Sequence, residues 1–300
     1  MKWREGYVSG GDTRFWVREA GRGENVAVLL HGFPQDGSAW ERVAALLVDQ
    51  GWRVVAPDVK GVGRSDRPDS GYDPQTLADE ISQLIRNLHV KKALLVGHDW
   101  GGAIALATAF RHPGHVSGVV LVAAPYRQLD LRRAWHIALC NIPMLPEVAF
   151  RLAPRPMVAA ALRSQSRLRE PFDASAIDAA TTAVSGGQPP AWLGYYRTLS
   201  RRAVVDWAVR RTRRRLPVVP DPRTPHPLRV PVQVVWGEQD PIFPVSLGAR
   251  VARDLGADLD VLPGVGHHLH VEDPLGLARS IQRFATNAHL APGTGADAVV

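Results

Sequence analysis

Residues 95–102 read Leu-Val-Gly-His-Asp-Trp-Gly-Gly, between the apolar run KALLVG (92–97) and the small-residue stretch GGAIALATAFRHPG (101–114). A short apolar run closed by glycine reads as a buried strand, and the alanine-rich stretch after it reads as a helix. Glycines at 97 and 101 permit a turn so tight that the side chain between them, Asp99, is thrust out above the sheet. Gly-x-Asp-x-Gly alone is a weak pattern, because aspartate is common in turns. A strand before it and a helix directly after it make it specific.

Outward from this turn, further strands are predicted at 26–30 (VAVLL), 52–57 (WRVVAP), 116–124 (VSGVVLVAA), 230–237 (VPVQVVWG) and 257–264 (ADLDVLPG). Helices are predicted at 40–51, closed by Gly51, and at 73–88, where Leu77, Ile81, Leu84, Ile85 and Leu88 recur at helical spacing. Residues 5–19 alternate weakly around Ser9-Gly10-Gly11-Asp12 and read as a hairpin. Strands alternating with helices predict an α/β fold with a mostly parallel central sheet covered on both faces. The alternation stops after Ala123-Ala124-Pro125-Tyr126, and the chain then reads as helical to about Pro227. This divides the chain into a core (1–125 and 228–290), an inserted helical cap or lid (126–227) and a flexible tail (291–300). The insertion leaves from a strand's carboxyl end, the side on which such sheets place ligands.

Bulk properties narrow the function classes. The 300 residues are 45% hydrophobic and carry a net charge of +7, mostly through arginine. No finger, helix-turn-helix or aromatic-interleaved basic motif accompanies that charge, so no nucleic-acid partner is expected. The densest run, Arg210 to Arg215 with Thr212 inside it, reads as a solvated helix end. The N-terminus lacks an apolar signal core, no run of about 20 apolar residues exists, and Cys140 is the one cysteine. A soluble cytoplasmic protein without disulfides or membrane contact is the expectation. The Arg-rich insertion leaves a homodimer contact open.

Three other loops complete the Asp99 turn. His31-Gly32-Phe33-Pro34 follows the strand at 26–30 and can offer the Phe33 N–H, opposite the Trp100 N–H, to a developing oxyanion. Glu238 and Asp240 follow the strand ending at Gly237, with Asp240 the better placed to orient an imidazole. His267, His268 and His270 follow the strand before Gly264, and His267, directly after Gly266, reads as the base. No paired cysteines or His-Glu-x-x-His helix accompany these histidines, so no metal is expected. Nucleophile, acid and base then run in the order Asp99, Asp240, His267, that of the hydrolase triad.

With these motifs (HGFP, DVKGVGRSDRP, GHDWGG, WGEQDP and GHHLHVEDP) the chain resembles the α/β-hydrolase superfamily, and within it the epoxide hydrolase and haloalkane dehalogenase branch. The resemblance covers about two thirds of the chain, with the cap matched only loosely. It implies a cofactor-independent enzyme acting on a small epoxide, with a haloalkane as the alternative substrate. A carboxylate is a poor acyl nucleophile but displaces alkoxide or halide from saturated carbon, forming an ester that a second step hydrolyses. In the epoxide branch two cap tyrosines protonate the leaving oxygen; Tyr196, beside Arg197, matches one of them. The second is missing, because Tyr7, Tyr72, Tyr126, Tyr195 and Tyr196 are the only tyrosines, and His136 is the candidate substitute. His31, Pro34, Trp135, Trp192 and Tyr195 are expected to line the pocket. Dehalogenases use an asparagine after His-Gly, where this chain has Phe33, and the fluoroacetate subgroup an arginine after the nucleophile, where it has Trp100. A hydrolase-fold protein that binds a ligand without turning it over is the third alternative.

Overall fold

The computed structural model describes residues 1–124, 135–168, 172–186, 191–198 and 228–291. The arginine run 210–215 and residues 292–300 of the expected tail lie outside them. Side-chain placement is likewise not described for Trp135 and His136, so neither can be tested as a pocket or donor residue.

Two antiparallel strands open the chain, β1 (Arg4–Gly10) and β2 (Thr13–Ala20), joined at Gly11 in the left-handed region. Then follow β3 (Val26–Leu30), α1 (Glu41–Asp49), β4 (Arg53–Pro57), α2 (Pro74–Asn87), β5 (Ala93–His98), α3 (Trp100–Arg111) and β6 (Val116–Val122). Four helices stand between β6 and the next strand: α4 (Trp135–Cys140), α5 (Leu145–Leu152), α6 (Pro154–Gln165) and α7 (Ala174–Val184), with 193–198 also helical. The chain closes with β7 (Val232–Gly237), α8 (Val245–Leu255), β8 (Asp258–Leu262), α9 (Leu269–Glu272) and α10 (Pro274–Asn287). Among the described residues the sheet has eight strands in the order β1-β2-β4-β3-β5-β6-β7-β8, parallel from β4 to β8. This is the α/β-hydrolase fold.

The alternation within a strand explains the two-sided cover. Val26, Val28 and Leu30 of β3 enter the core beneath α2 and α3, whereas Ala27 and Leu29 enter the core beneath α1 and α10. Successive side chains leave a strand on opposite faces, so a strand buried on both must be apolar throughout. Helix starts are written in the sequence as well. Asp73 and Asp273 each precede a proline and accept the backbone N–H three residues on, satisfying a donor that the first turn leaves orphaned. The amphipathic stretch predicted at 73–88 forms α2 and buries Leu77, Ile81, Leu84 and Ile85.

The turn at Asp99 is the tightest point of the fold. A Cβ on Gly97 would stand 2.4 Å from the Gly101 carbonyl oxygen, and one on Gly101 would stand 2.1 Å from that of Leu30. Backbone cannot yield that far cheaply. Gly101→Ala is therefore expected to cost about 3 kcal/mol, the upper range for overpacking, with a matching fall in the chemical-denaturation midpoint.

Candidate active site

Strand register brings the predicted loops to one end of the sheet. β3, β5, β7 and β8 run parallel, so His31-Gly32-Phe33, Asp99, Asp240 and His267 all emerge beyond carboxyl ends. Asp99 has φ +50° and ψ −119°, a conformation that L-residues adopt at a cost, and it begins α3. Gly32 passes so near that a Cβ there would lie 2.5 Å from the Asp99 Cβ. That approach brings the backbone N–H groups of Phe33 and Trp100 to face the Asp99 carboxylate, where both favour its charged form. Both donors therefore already point at the atoms where an oxyanion would form.

It is Asp240, not Glu238, that meets the imidazole. Asp240 Oδ2 accepts from His267 Nδ1 at 2.8 Å, while Oδ1 accepts the N–H groups of Ile242 and Phe243, each at 2.8 Å. A carboxylate held by two backbone donors cannot swing, so His267 keeps its proton on Nδ1 and presents Nε2 as the lone pair. Glu238 instead accepts from the Gly264 N–H at 2.9 Å and shapes the loop. His267 Nε2 stands 3.9 Å from Asp99 Oδ2, too far for a hydrogen bond. The loop itself is pinned through its backbone: Gln165 of α6 accepts the His267 N–H at 3.0 Å, and Glu272 accepts the Gly266 N–H at 2.9 Å.

Electrostatics follow from this arrangement. Burial draws the His267 pKa down, but the charge and hydrogen bond of Asp240, followed by the charge of Asp99, outweigh it and leave it above the ordinary value of 6.5. Burial raises the Asp99 carboxyl above 3.8, opposed by His267 and the two backbone donors. One consequence is directly measurable. In an NMR titration His267 should have its midpoint above pH 6.5, and Asp99→Asn should lower that midpoint by removing the charge 3.9 Å from Nε2.

A pocket beside the Asp99 turn is lined by His31, Gly32, Phe33, Val59, Val62, Trp100, Trp192, Tyr195 and Tyr196. Pro34 is buried but does not line it, because the chain turns away after Phe33. His31 serves the loop as well as the wall: its Nε2 accepts the Val59 N–H at 2.9 Å. The neighbouring tyrosines separate clearly. The Tyr195 hydroxyl donates to the Lys60 carbonyl at 2.6 Å and is spent on anchoring. Tyr196 packs edge-on to Trp100, with ring centroids 5.0 Å apart, and the Trp100 indole faces its hydroxyl. Burial first, then the neighbouring Cys140 and Asp99, hold the Tyr196 phenol well above 10.

His98 carries a role that the sequence reading passed over. It points from β5 toward the base loop and bonds the His267 carbonyl oxygen at 3.0 Å. His268 and His270 pack around it, and burial keeps all three pKa values low, that of His270 at about 3. The pairing of position 98 with 267 had no local signal, since the two lie on different strands' ends far apart in the chain.

The alpha/beta hydrolase fold family model matches residues 25–274, and the chain belongs to that family. Two curated relatives match nearly its whole length. Epoxide hydrolase 3 of Xenopus tropicalis is 26% identical over 93% of this chain and 73% of its own. The AB hydrolase superfamily protein YfhM of Bacillus subtilis (strain 168) is 26% identical over 94% of this chain and 97% of its own. Among solved structures, Cfl2 from Burkholderia cenocepacia superposes with a TM-score of 0.78 at 28% identity, covering 94% of this chain and 95% of that one. The chain is thus similar to epoxide hydrolases, and fold and relatives together support a hydrolase. Among the described residues, no helix is long and apolar enough to cross a membrane.

Proposed function

We propose that the protein is an epoxide hydrolase, converting an apolar epoxide to a vicinal diol through an alkyl ester on Asp99. The observation that carries this reading is the ring contact of Tyr196 with Trp100, near enough to Asp99 for the carboxylate to influence the phenol. Asp99 attacks an epoxide carbon and the C–O bond breaks. A departing alkoxide needs a proton, and Tyr196, protonated throughout the physiological range, supplies it. The Trp100 indole, facing the Tyr196 hydroxyl, stabilises the phenolate left behind.

The second step uses the other half of the site. Alkylation cancels the Asp99 charge and so removes one of the influences holding the His267 pKa up. His267 is thereby tuned toward its neutral form at the moment a base is required. It takes a proton from water, the hydroxide attacks the Asp99 carbonyl carbon, and the Phe33 and Trp100 N–H groups hold the oxyanion. Collapse releases the diol and restores the carboxylate. Asp240 fixes the imidazole throughout.

A haloalkane reading would ask the Trp100 indole to hold a departing halide, but Phe33 brings no polar side chain to share that task. The apolar, aromatic lining agrees with a small apolar substrate. With the second cap tyrosine missing, Tyr196 is the proton donor on which this reading rests, and His136 lies outside the described side chains. Tyr196→Phe should then lower the rate of Asp99 alkylation by an epoxide about 100-fold, measured in a single-turnover burst, with hydrolysis of a preformed ester much less affected. A panel of terminal epoxides, 1-haloalkanes and aryl esters assayed side by side tests the reading: diol formation should dominate. Halide release with no epoxide turnover would reverse it.

A further inference from the structure

Beneath the base lies a cluster of histidines that this chemistry does not use. His98 at the end of β5, and His268 and His270 at the start of α9, are each 0% exposed. Their ring centroids lie 5.5 Å (His98–His268), 4.6 Å (His98–His270) and 6.1 Å (His268–His270) apart. Hydrogen bonding decides which nitrogens carry lone pairs. His98 Nε2 bonds the His267 carbonyl, which can only accept, so the proton is on Nε2 and Nδ1 is bare. His270 Nε2 bonds Gln35 Oε1 at 2.8 Å, which leaves Nδ1 of that ring bare in turn. Among the described residues, both of these Nδ1 atoms and both ring nitrogens of His268 lack a hydrogen-bond partner. One ring nitrogen from each of the three histidines lies within 4.8 Å of the other two.

Packing alone gives no reason for this arrangement, since apolar side chains of similar shape would fill the space without stranding polar atoms. Neutral imidazoles whose other N–H is held by a carbonyl oxygen are instead typical ligands of zinc, with tautomer and orientation preset by that outer bond. We propose that His98, His268 and His270 form a binding site for zinc or a neighbouring divalent transition-metal ion, with His98 and His270 ligating through Nδ1. A tetrahedral ion with bonds of about 2.1 Å needs the nitrogens roughly 3.4 Å apart, so the rings must draw together by about an ångström. His98 and His270 can pivot about their outer hydrogen bonds, and the His268 ring has none to break. The ion would tie together three segments that build the active site: the end of β5 next to Asp99, the loop next to His267, and, through Gln35, the loop next to Phe33. Local spacing at 267–270 could not reveal the site, because its third ligand is His98. The site does not depend on the epoxide reading.

A fully buried site loads during folding, so the test is refolding. The full chain is unfolded, refolded with cobalt(II) as the visible probe, and freed of loose metal by a chelating column. About one cobalt per chain should be retained, with the intense visible absorption of a tetrahedral nitrogen site, and the melting temperature should exceed that of chain refolded in chelator. His268→Phe, which deletes a ring without hydrogen bonds, should retain at least tenfold less; if it does not fold, His270→Gln is judged by the same criterion. His112→Gln, at the half-buried histidine bonded to Asp79, should retain as much as the parent. Three results would overturn the proposal: no cobalt retained by the parent chain, retention unaffected by the buried substitutions, or a crystal structure of the metal-treated protein with only water between the three rings.

Discussion

Asp99→Gly is expected to abolish epoxide turnover, by about 10⁴-fold or more, while making the protein more stable. The first effect follows from loss of the attacking atom, since nothing else at the turn can form the ester. The second follows from two features of the native residue. Asp99 holds φ +50° and ψ −119°, where a side chain costs roughly 1–2 kcal/mol and glycine costs none. Its carboxyl is also held above the ordinary value, chiefly by burial. A folded-state pKa above the unfolded value means that stability is fully present below about pH 3.8 and is lost as pH rises through the folded value. At neutral pH the ionised group is therefore a net cost. Glycine gives back roughly 0.5–1 kcal/mol through the entropy of the unfolded chain, leaving a gain of about 1 kcal/mol. A thermal melt should rise by about 2 °C at neutral pH, and the difference should shrink on acidification as native Asp99 becomes protonated.

His267→Gln should separate the two half-reactions. Alkylation needs Asp99 and Tyr196, whereas ester hydrolysis needs the base. Turnover should fall by about 10³- to 10⁴-fold, and the protein should accumulate with its mass raised by that of one epoxide. Glutamine keeps an amide that can bond Asp240, so the loop is not left with an unpaired buried carboxylate. Proteolysis should place the added mass on the peptide containing Asp99. A fall in turnover without an accumulated ester would mean that His267 acts before the ester forms, contrary to the roles given above.

These expectations draw on features that the sequence discloses to different degrees. Asp99, Asp240 and His267 were legible because each follows an apolar strand and glycine marks the chain's turn at its end. Strand ends, unlike helix faces, announce themselves locally. The choice between Asp240 and Glu238 was open to the sequence only as a preference, since it depends on which carboxylate the backbone of Ile242 and Phe243 captures. Tyr195 and Tyr196 are chemically identical neighbours that only the family resemblance separates in the sequence, whereas in the structure the Tyr195 bond to the Lys60 carbonyl separates them physically. Adjacency to Phe33 suggests a pocket place for Pro34, but the chain turns after Phe33 and Pro34 is not among the lining residues. His98 was hidden for the opposite reason: it looks like part of a turn motif, yet its partner is the carbonyl of His267, from a loop that folds onto it only through the order of the sheet.

In the ester mechanism the oxygen added to the epoxide comes from Asp99 and not directly from water. A single turnover in heavy-oxygen water, with enzyme in excess over epoxide, tests it most directly. The first diol should be unlabelled, and one heavy oxygen should appear in the carboxylate of the peptide bearing Asp99. A labelled first diol with an unlabelled Asp99 peptide would contradict the ester mechanism.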